Sequence, residues 1–213
     1  MSLVKLLKND RGFSLLEVAI AITVVGILAA VVLKGQSLVK EARLQSVATQ
    51  IHQYKAAIDM FRDKYQALPG DYNSARENIS YALDNGDGDG AVNTEREALG
   101  FWQHLKLGGL VSIKESVPKS KLGGTFVPSS HIYGHSGTWV VFSNSSVSEV
   151  LSGYFRGVLT PKEANDLMNK LDSKVDGDIV VINGEGCKNV CVDAGQFNFK
   201  SEEKSCVVIV KID

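Results

Sequence analysis

Two kinds of apolar pattern follow one another along the first third of the chain. From Phe13 to Leu33 almost every position is apolar, and Val18 to Leu33 (VAIAITVVGILAAVVL) carries no charge. A run of about 20 such residues is the length an α-helix needs to cross a bilayer. Beyond it the pattern narrows to a stripe. Leu44, Val47, Ile51, Tyr54, Ile58, Phe61 and Tyr65 recur at alternating spacings of three and four, which places them on one helical face. Lys40, Gln50, Gln53, Lys55 and Asp59 fall on the other. The two patterns predict a single helix of about 50 residues. Its first half faces lipid or sister helices, and its second half lies against the chain's own sheet. Gly35 is a candidate bend, and Leu68-Pro69-Gly70-Asp71 is the stop.

The remaining pattern is mixed. Residues 70–110 are rich in loop formers and contain one amphipathic helix, Glu95 to Leu107, with Leu99, Trp102, Leu105 and Leu107 inward, His104 outward or capping, and Gly108-Gly109 at its end. Strand signals follow at Val111–Ile113, Thr125–Val127, Trp139–Phe142, Asp178–Ile182 and Cys206–Ile212. Thr160-Pro161-Lys162-Glu163 is a capping box with proline at the first helical position. It predicts a helix to about Leu171 that buries Ala164, Leu167, Met168 and Leu171. The expected class is α+β: a long N-terminal helix, membrane-embedded in its first half, packed on a mainly antiparallel β-sheet head.

Composition adds limits. The 213 residues carry a net charge of −1, with an isoelectric point near 6.4. That balance lacks the basic field of a general nucleic-acid binder. No Ser-His-Asp, Cys-His or paired-carboxylate constellation stands out, so an enzyme is not expected. His131-x-x-x-His135 has the spacing of helical metal ligands, but Gly134 and Gly137 argue against a helix there. The three cysteines, Cys187, Cys191 and Cys206, cluster near the C-terminus, which suggests a stapled loop in an oxidising compartment with one thiol left over.

The start of the chain does not read as a cleaved secretory signal. The apolar run is too long, and Lys34-Gly35-Gln36-Ser37 follows it without an A-x-A site. Lys5, Lys8 and Arg11 precede the run, which favours a cytoplasmic leader and an external head. Glu17 is the anomaly. A carboxylate within an apolar span costs a few kcal/mol and usually pairs with a cation. Cleavage after Gly12 would put a new α-amine on Phe13, four residues away.

Lys8-Asn-Asp-Arg-Gly12, then Phe13-Ser-Leu-Leu-Glu17 and the unbroken apolar run, resembles the class III leader of type IV pilins and type II secretion pseudopilins. The resemblance covers about the first 35 residues. It implies a pilin-like fold, cleavage after Gly12 by an inner-membrane prepilin peptidase, N-methylation of Phe13, and assembly into a filament through Glu17 pairing with a neighbour's terminal amine. The partners it implies are that peptidase and methylase, sister pilin or pseudopilin subunits and an inner-membrane assembly platform. The location it implies is the bacterial inner membrane, single pass, with a periplasmic head, and then a pilus or pseudopilus. The expected organisation is a leader at 1–12, a transmembrane and assembly half-helix at 13–34, an amphipathic half-helix at 35–66 and a head at 67–213. Gly26-x-x-x-Ala30 within the run suits close helix approach.

Two features of the head carry candidate chemistry. Within 84–97, Asn85-Gly-Asp87-Gly-Asp89-Gly90-Ala91-Val92-Asn93 resembles the first part of an EF-hand-type calcium loop, with oxygen ligands at alternate positions and Gly90 at the turn. Asn85, Asp87, Asp89, Asn93 and Glu95 are the candidate ligands, and Val92 the residue tucked inward. Arg96 stands where a bidentate Glu is expected. No cofactor is required, and calcium is the candidate ion. The second feature is the cysteine loop at 187–206. A Cys191–Cys206 or Cys187–Cys206 bridge would match the C-terminal disulfide loop of many pilins, and Cys187–Cys191 is the local competitor. The leading expectation is a structural filament subunit. The alternative is a membrane-anchored binding module, such as a minor tip pilin or a calcium-dependent adhesin-like protein.

Overall fold

The computed structural model describes residues 13–132, 134–171 and 177–212. Helix α1 spans Leu15–Tyr65, 51 residues, and Gly35 lies inside it without interrupting it. Gln66 closes it in the left-handed region at φ 52°, the conformation that commonly ends a helix and that glycine adopts most readily. Its side-chain amide donates to the Asp63 carbonyl at 2.9 Å, satisfying one of the carbonyls the helix end leaves over.

The chain divides into two compact units, Met1–Ala42 and Arg43–Asp213. In the first, every described residue is exposed except the half-buried Gly35. One 18-residue window of α1 has a mean hydropathy of 2.7 with none of it buried, which makes α1 long and apolar enough to cross a membrane.

The second unit is the α+β head. Within it, α1 buries Leu44, Val47, Ala48, Ile51, Tyr54, Ala57, Ile58 and Phe61, which is the predicted stripe up to Phe61 plus two alanines between its larger members; Tyr65, the last predicted member, is half-buried. Each large side chain buried this way contributes about 1.5–3 kcal/mol. The head continues with α2 (Ala75–Asn78), α3 (Glu95–Leu107), β1 (Thr125–Ser129), β2 (Trp139–Ser143), α4 (Val147–Leu151), α5 (Pro161–Lys170), β3 (Ile179–Asn183), β4 (Val192–Asp193), β5 (Gln196–Phe197) and β6 (Cys206–Lys211).

Four strands form an antiparallel sheet in the order β1-β2-β6-β3. Its register explains the uninterrupted apolar strands. Side chains alternate between faces, and here both faces are covered. Phe126, Val140, Phe142, Val208 and Val210 join the cluster that holds the α1 stripe, Trp102 and Leu167. Val127, Trp139, Val141, Val207 and Ile209 pack with Val150 and Phe155 on the other face. Against α1, Tyr54 lies edge-on to Trp102 at 4.8 Å and to Phe126 at 5.3 Å. The indole N–H of Trp102 donates to the Phe126 carbonyl at 2.9 Å, so its polar edge is satisfied inside the core.

The capping box at Thr160 forms as expected, with both reciprocal hydrogen bonds. Ala164, Leu167 and Leu171 are buried and Met168 is half-buried. Other expectations need correction. Val111–Ile113 forms no strand; Val111 and Ile113 instead pack, partly buried, against the main core. Leu107 is exposed, and the inward face of α3 is Glu97, Ala98, Phe101, Trp102, His104 and Leu105. His104 is therefore a core residue, not a surface one.

Candidate functional site

The N-terminal segment enters α1 through Ser14. Its hydroxyl accepts from the Leu16 N–H at 3.3 Å and its carbonyl accepts from the Val18 N–H at 3.1 Å, so it fills the role of an N-cap. Phe13 precedes the helix and is 79% exposed. Glu17 sits in the first turn, exposed, where the positive end of the helix dipole favours a carboxylate. Gly12 lies outside the described residues, as do Lys5, Lys8 and Arg11.

The acidic loop is organised by a residue that sequence reading treated only as part of a helix stop. Asp71 is 3% exposed. One of its carboxylate oxygens accepts from the N–H groups of Gly88 (2.8 Å) and Asp89 (3.0 Å), and the other from Gly90 (3.0 Å). Burial pushes the Asp71 carboxyl above its ordinary value, against the pull of those three N–H donors. Gly86 packs so tightly on the Asp71 backbone that a Cβ would collide with it, and Gly88 and Gly90 adopt φ 77° and 85°. The glycines are thus what lets the loop wrap a buried carboxylate.

The five candidate calcium ligands are not gathered at one point. Asp87 and Asp89 do converge, with Asp71, so that one oxygen of each lies within 4.8 Å of the others. The Asn85 side chain turns away, accepting from the Arg76 N–H at 2.8 Å and donating to Glu77 at 3.3 Å. Asn93 donates its amide to Asp89 at 2.8 Å, and Glu95 is exposed in the first turn of α3. Val92 is buried as expected. Asp71 uses both oxygens on backbone donors, so its role here is to anchor the loop.

His104 ties this loop to the end of α1. Its Nδ1 accepts from the Gly70 N–H at 3.1 Å, and its Nε2 lies 3.1 Å from the Asp84 carbonyl. An accepting Nδ1 fixes the neutral ring with the proton on Nε2, donating to Asp84. Burial holds its pKa below the ordinary 6.5, outweighing the Asp84 carbonyl and carboxylate, which both favour the proton.

Cys191 and Cys206 form a disulfide across 15 residues of sequence, and Cys187 is a free, half-buried thiol. Of the open pairings, this one joins the segment entering β4 to the first residue of β6. The Asn183 side chain reinforces it, accepting from the N–H groups of Cys191 and Val192 at 2.9 and 3.0 Å. His135 forms an isolated bridge with Ile132, His131 immediately precedes that bridge, and the His135 ring packs edge-on against Trp139.

Residues 7–33 match the family model of the prokaryotic N-terminal methylation motif, the class III prepilin leader of type IV pilins and pseudopilins. No curated protein and no solved structure matches the chain. The N-terminal motif is thus that of a pilin-like or pseudopilin-like precursor, and the helix that follows fits an inner-membrane anchor.

Proposed function

We propose that this chain is a structural subunit of a type IV pilus-like or type II secretion pseudopilus filament. In this reading a prepilin peptidase cuts after Gly12, Phe13 is N-methylated, and the apolar half of α1 is stored in the inner membrane with the head outside. Assembly then moves that helix into a filament core of sister subunits. Glu17 pairs there with the terminal amine of a neighbour, which offsets the cost of a carboxylate in apolar surroundings only when the two helices have the right stagger. The observation that carries the proposal is the methylation motif at 7–33, which contains the exposed, uncharged helical stretch Val18–Leu33.

A pair of variants tests it. Gly12→Ala should leave a leader-bearing band on a gel of membrane fractions. Glu17→Ala should be processed normally yet be missing from sheared filaments. Wild-type behaviour of both would reject the assembly reading.

The second reading is a membrane-anchored binding module whose head surface is set by calcium at Asp87 and Asp89. The convergence of these two carboxylates favours it. Calcium should then release heat in a calorimetric titration and raise the melting temperature reversibly with chelator. No heat and no shift would remove it.

A further inference from the structure

His104 is fully buried, takes no part in the proposed assembly chemistry, and makes both of its ring hydrogen bonds to backbone. Its two partners are the turn that ends α1 and the segment that leads into the acidic loop. The turn carries Asp71 next to Gly70, and Asp71 in turn holds the N–H groups of Gly88, Asp89 and Gly90. One imidazole therefore closes a ring of contacts from α3 to the turn to the loop.

We propose that His104 is an acid-sensitive latch on the head: uptake of a proton at Nδ1 converts the acceptor facing the Gly70 N–H into a donor and releases the 70–90 segment from α3. Two donors then oppose each other, and a buried imidazolium has lost its solvation. The released segment supplies Asp71, Gly88 and Gly90 to one side of an open cleft of 870 Å³, whose other side is the last turns of α1 with Asp59, Asp63 and Tyr65. Acid would thus reshape that surface of the head while leaving the sheet and its disulfide in place.

The surroundings decide whether the latch can hold its neutral form. On the loop side, Asp84 favours the proton through its carbonyl and its charge. Asp71, on the turn, and the buried Glu97, about two turns earlier on α3, are the carboxylates of the other adjoining segments. From α1 the ring meets Phe61, stacked at 6.0 Å. Arg62, beside it, directs its guanidinium to the Ile212 carbonyl at 2.8 Å. Burial outweighs these acids, so the closed ring protonates less readily than a free one. The sign follows. Once opened, the ring titrates near 6.5, so the closed form is fully favoured above that pH. It loses ground as pH falls from 6.5 towards the depressed closed-state value, and the loss levels off below it. Within that window the open population rises by up to about tenfold per pH unit, the limit set by one proton.

The test uses the full chain in detergent micelles. Ring resonances of His104 should show the Nε2–H tautomer and a protonation midpoint below 6.5. Hydrogen exchange of the Gly70 amide, which donates to Nδ1, corrected for its intrinsic rate, should lose protection by up to about tenfold per pH unit below 6.5. The β2 and β6 amides should not follow. His104→Gln can accept from Gly70 and donate to Asp84 without titrating, and should flatten the dependence. His52→Gln, His131→Gln and His135→Gln should leave it unchanged. A midpoint at or above 6.5, or protection in the wild type that does not change with pH, overturns the latch. So does a folded His104→Gln variant that keeps the full pH dependence. If that variant does not fold, the wild-type titration and exchange profiles decide between the same outcomes.

Discussion

Helix α1 contains two half-helices made on different principles. Residues 15–33 are apolar on every side and exposed all round; Ile22, Val25, Val31 and Leu33 are each more than 60% exposed. From Leu44 onward the helix is apolar on one side only, and that side is closed, with Val47 and Phe61 at 0%. A helix that is hydrophobic all round needs surroundings the chain does not supply, whereas a striped one brings its own partner in the same domain. The lesson is that helix length and hydrophobic content say little by themselves. The angular spread of the apolar residues says whether a segment is finished when the chain folds or waits for lipid or sister subunits.

The largest test of that contrast is Phe61→Ala. Phe61 is fully buried and packs on the rings of Tyr65 (4.6 Å), Tyr72 and His104. Truncating a buried aromatic costs about 3–5 kcal/mol, read from guanidinium unfolding of the head through Trp102 and Trp139 fluorescence. Ile20→Ala should leave the same midpoint unchanged. A comparable shift from both would mean that the first half contributes to the head after all. Next in size is Ile27→Asp. Placed in the centre of an apolar span it costs about 2.5–3.5 kcal/mol of insertion, seen as a shift from the membrane to the soluble fraction, with the unfolding midpoint of the head unchanged. A variant that inserts as well as the wild type would contradict a lipid-facing first half.

The same distinction explains what was legible in the sequence. Both halves of α1 were, since one is an unbroken apolar run and the other a stripe, each extending over several turns. So were β1, β2, β3 and β6, whose apolar runs are long, and α3 and α5, whose starts carry a capping box or an amphipathic stripe. The short elements were not. Two-residue strands such as β4 and β5 have no periodicity to detect, although Ala194-Gly195 between them is a turn. Helix α4 did leave a signal: Ser146-Val-Ser-Glu149 is a capping box, formed with both hydrogen bonds. Asp71 and His104 were missed for another reason. Their roles rest on backbone N–H and carbonyl groups, which almost every residue possesses and no pattern of side chains announces. The cysteines sat between these cases, because clustering suggested a bridge while the pairing needed the position of β6 beside the segment entering β4.

The smallest test concerns the polar side of the striped half. Lys55 reaches Asp178, just before β3, at 2.7 Å, with side chains 37% and 45% exposed. It ties α1 to the sheet edge in contact with water, whereas Phe61 packs the end of the helix from inside. Exposed pairs of this kind contribute about 0–1 kcal/mol, because solvent screens the attraction and two long side chains lose freedom. Lys55→Ala and Asp178→Ala should therefore each shift the head by about 0.5 kcal/mol or less. The double-mutant cycle should return a coupling of that size that vanishes in about 1 M salt. A salt-resistant coupling as large as the Phe61 effect would show that charge, and not the apolar stripe, fixes the second half of α1 on its sheet. The difference between the two half-helices would then no longer be one of hydrophobic geometry.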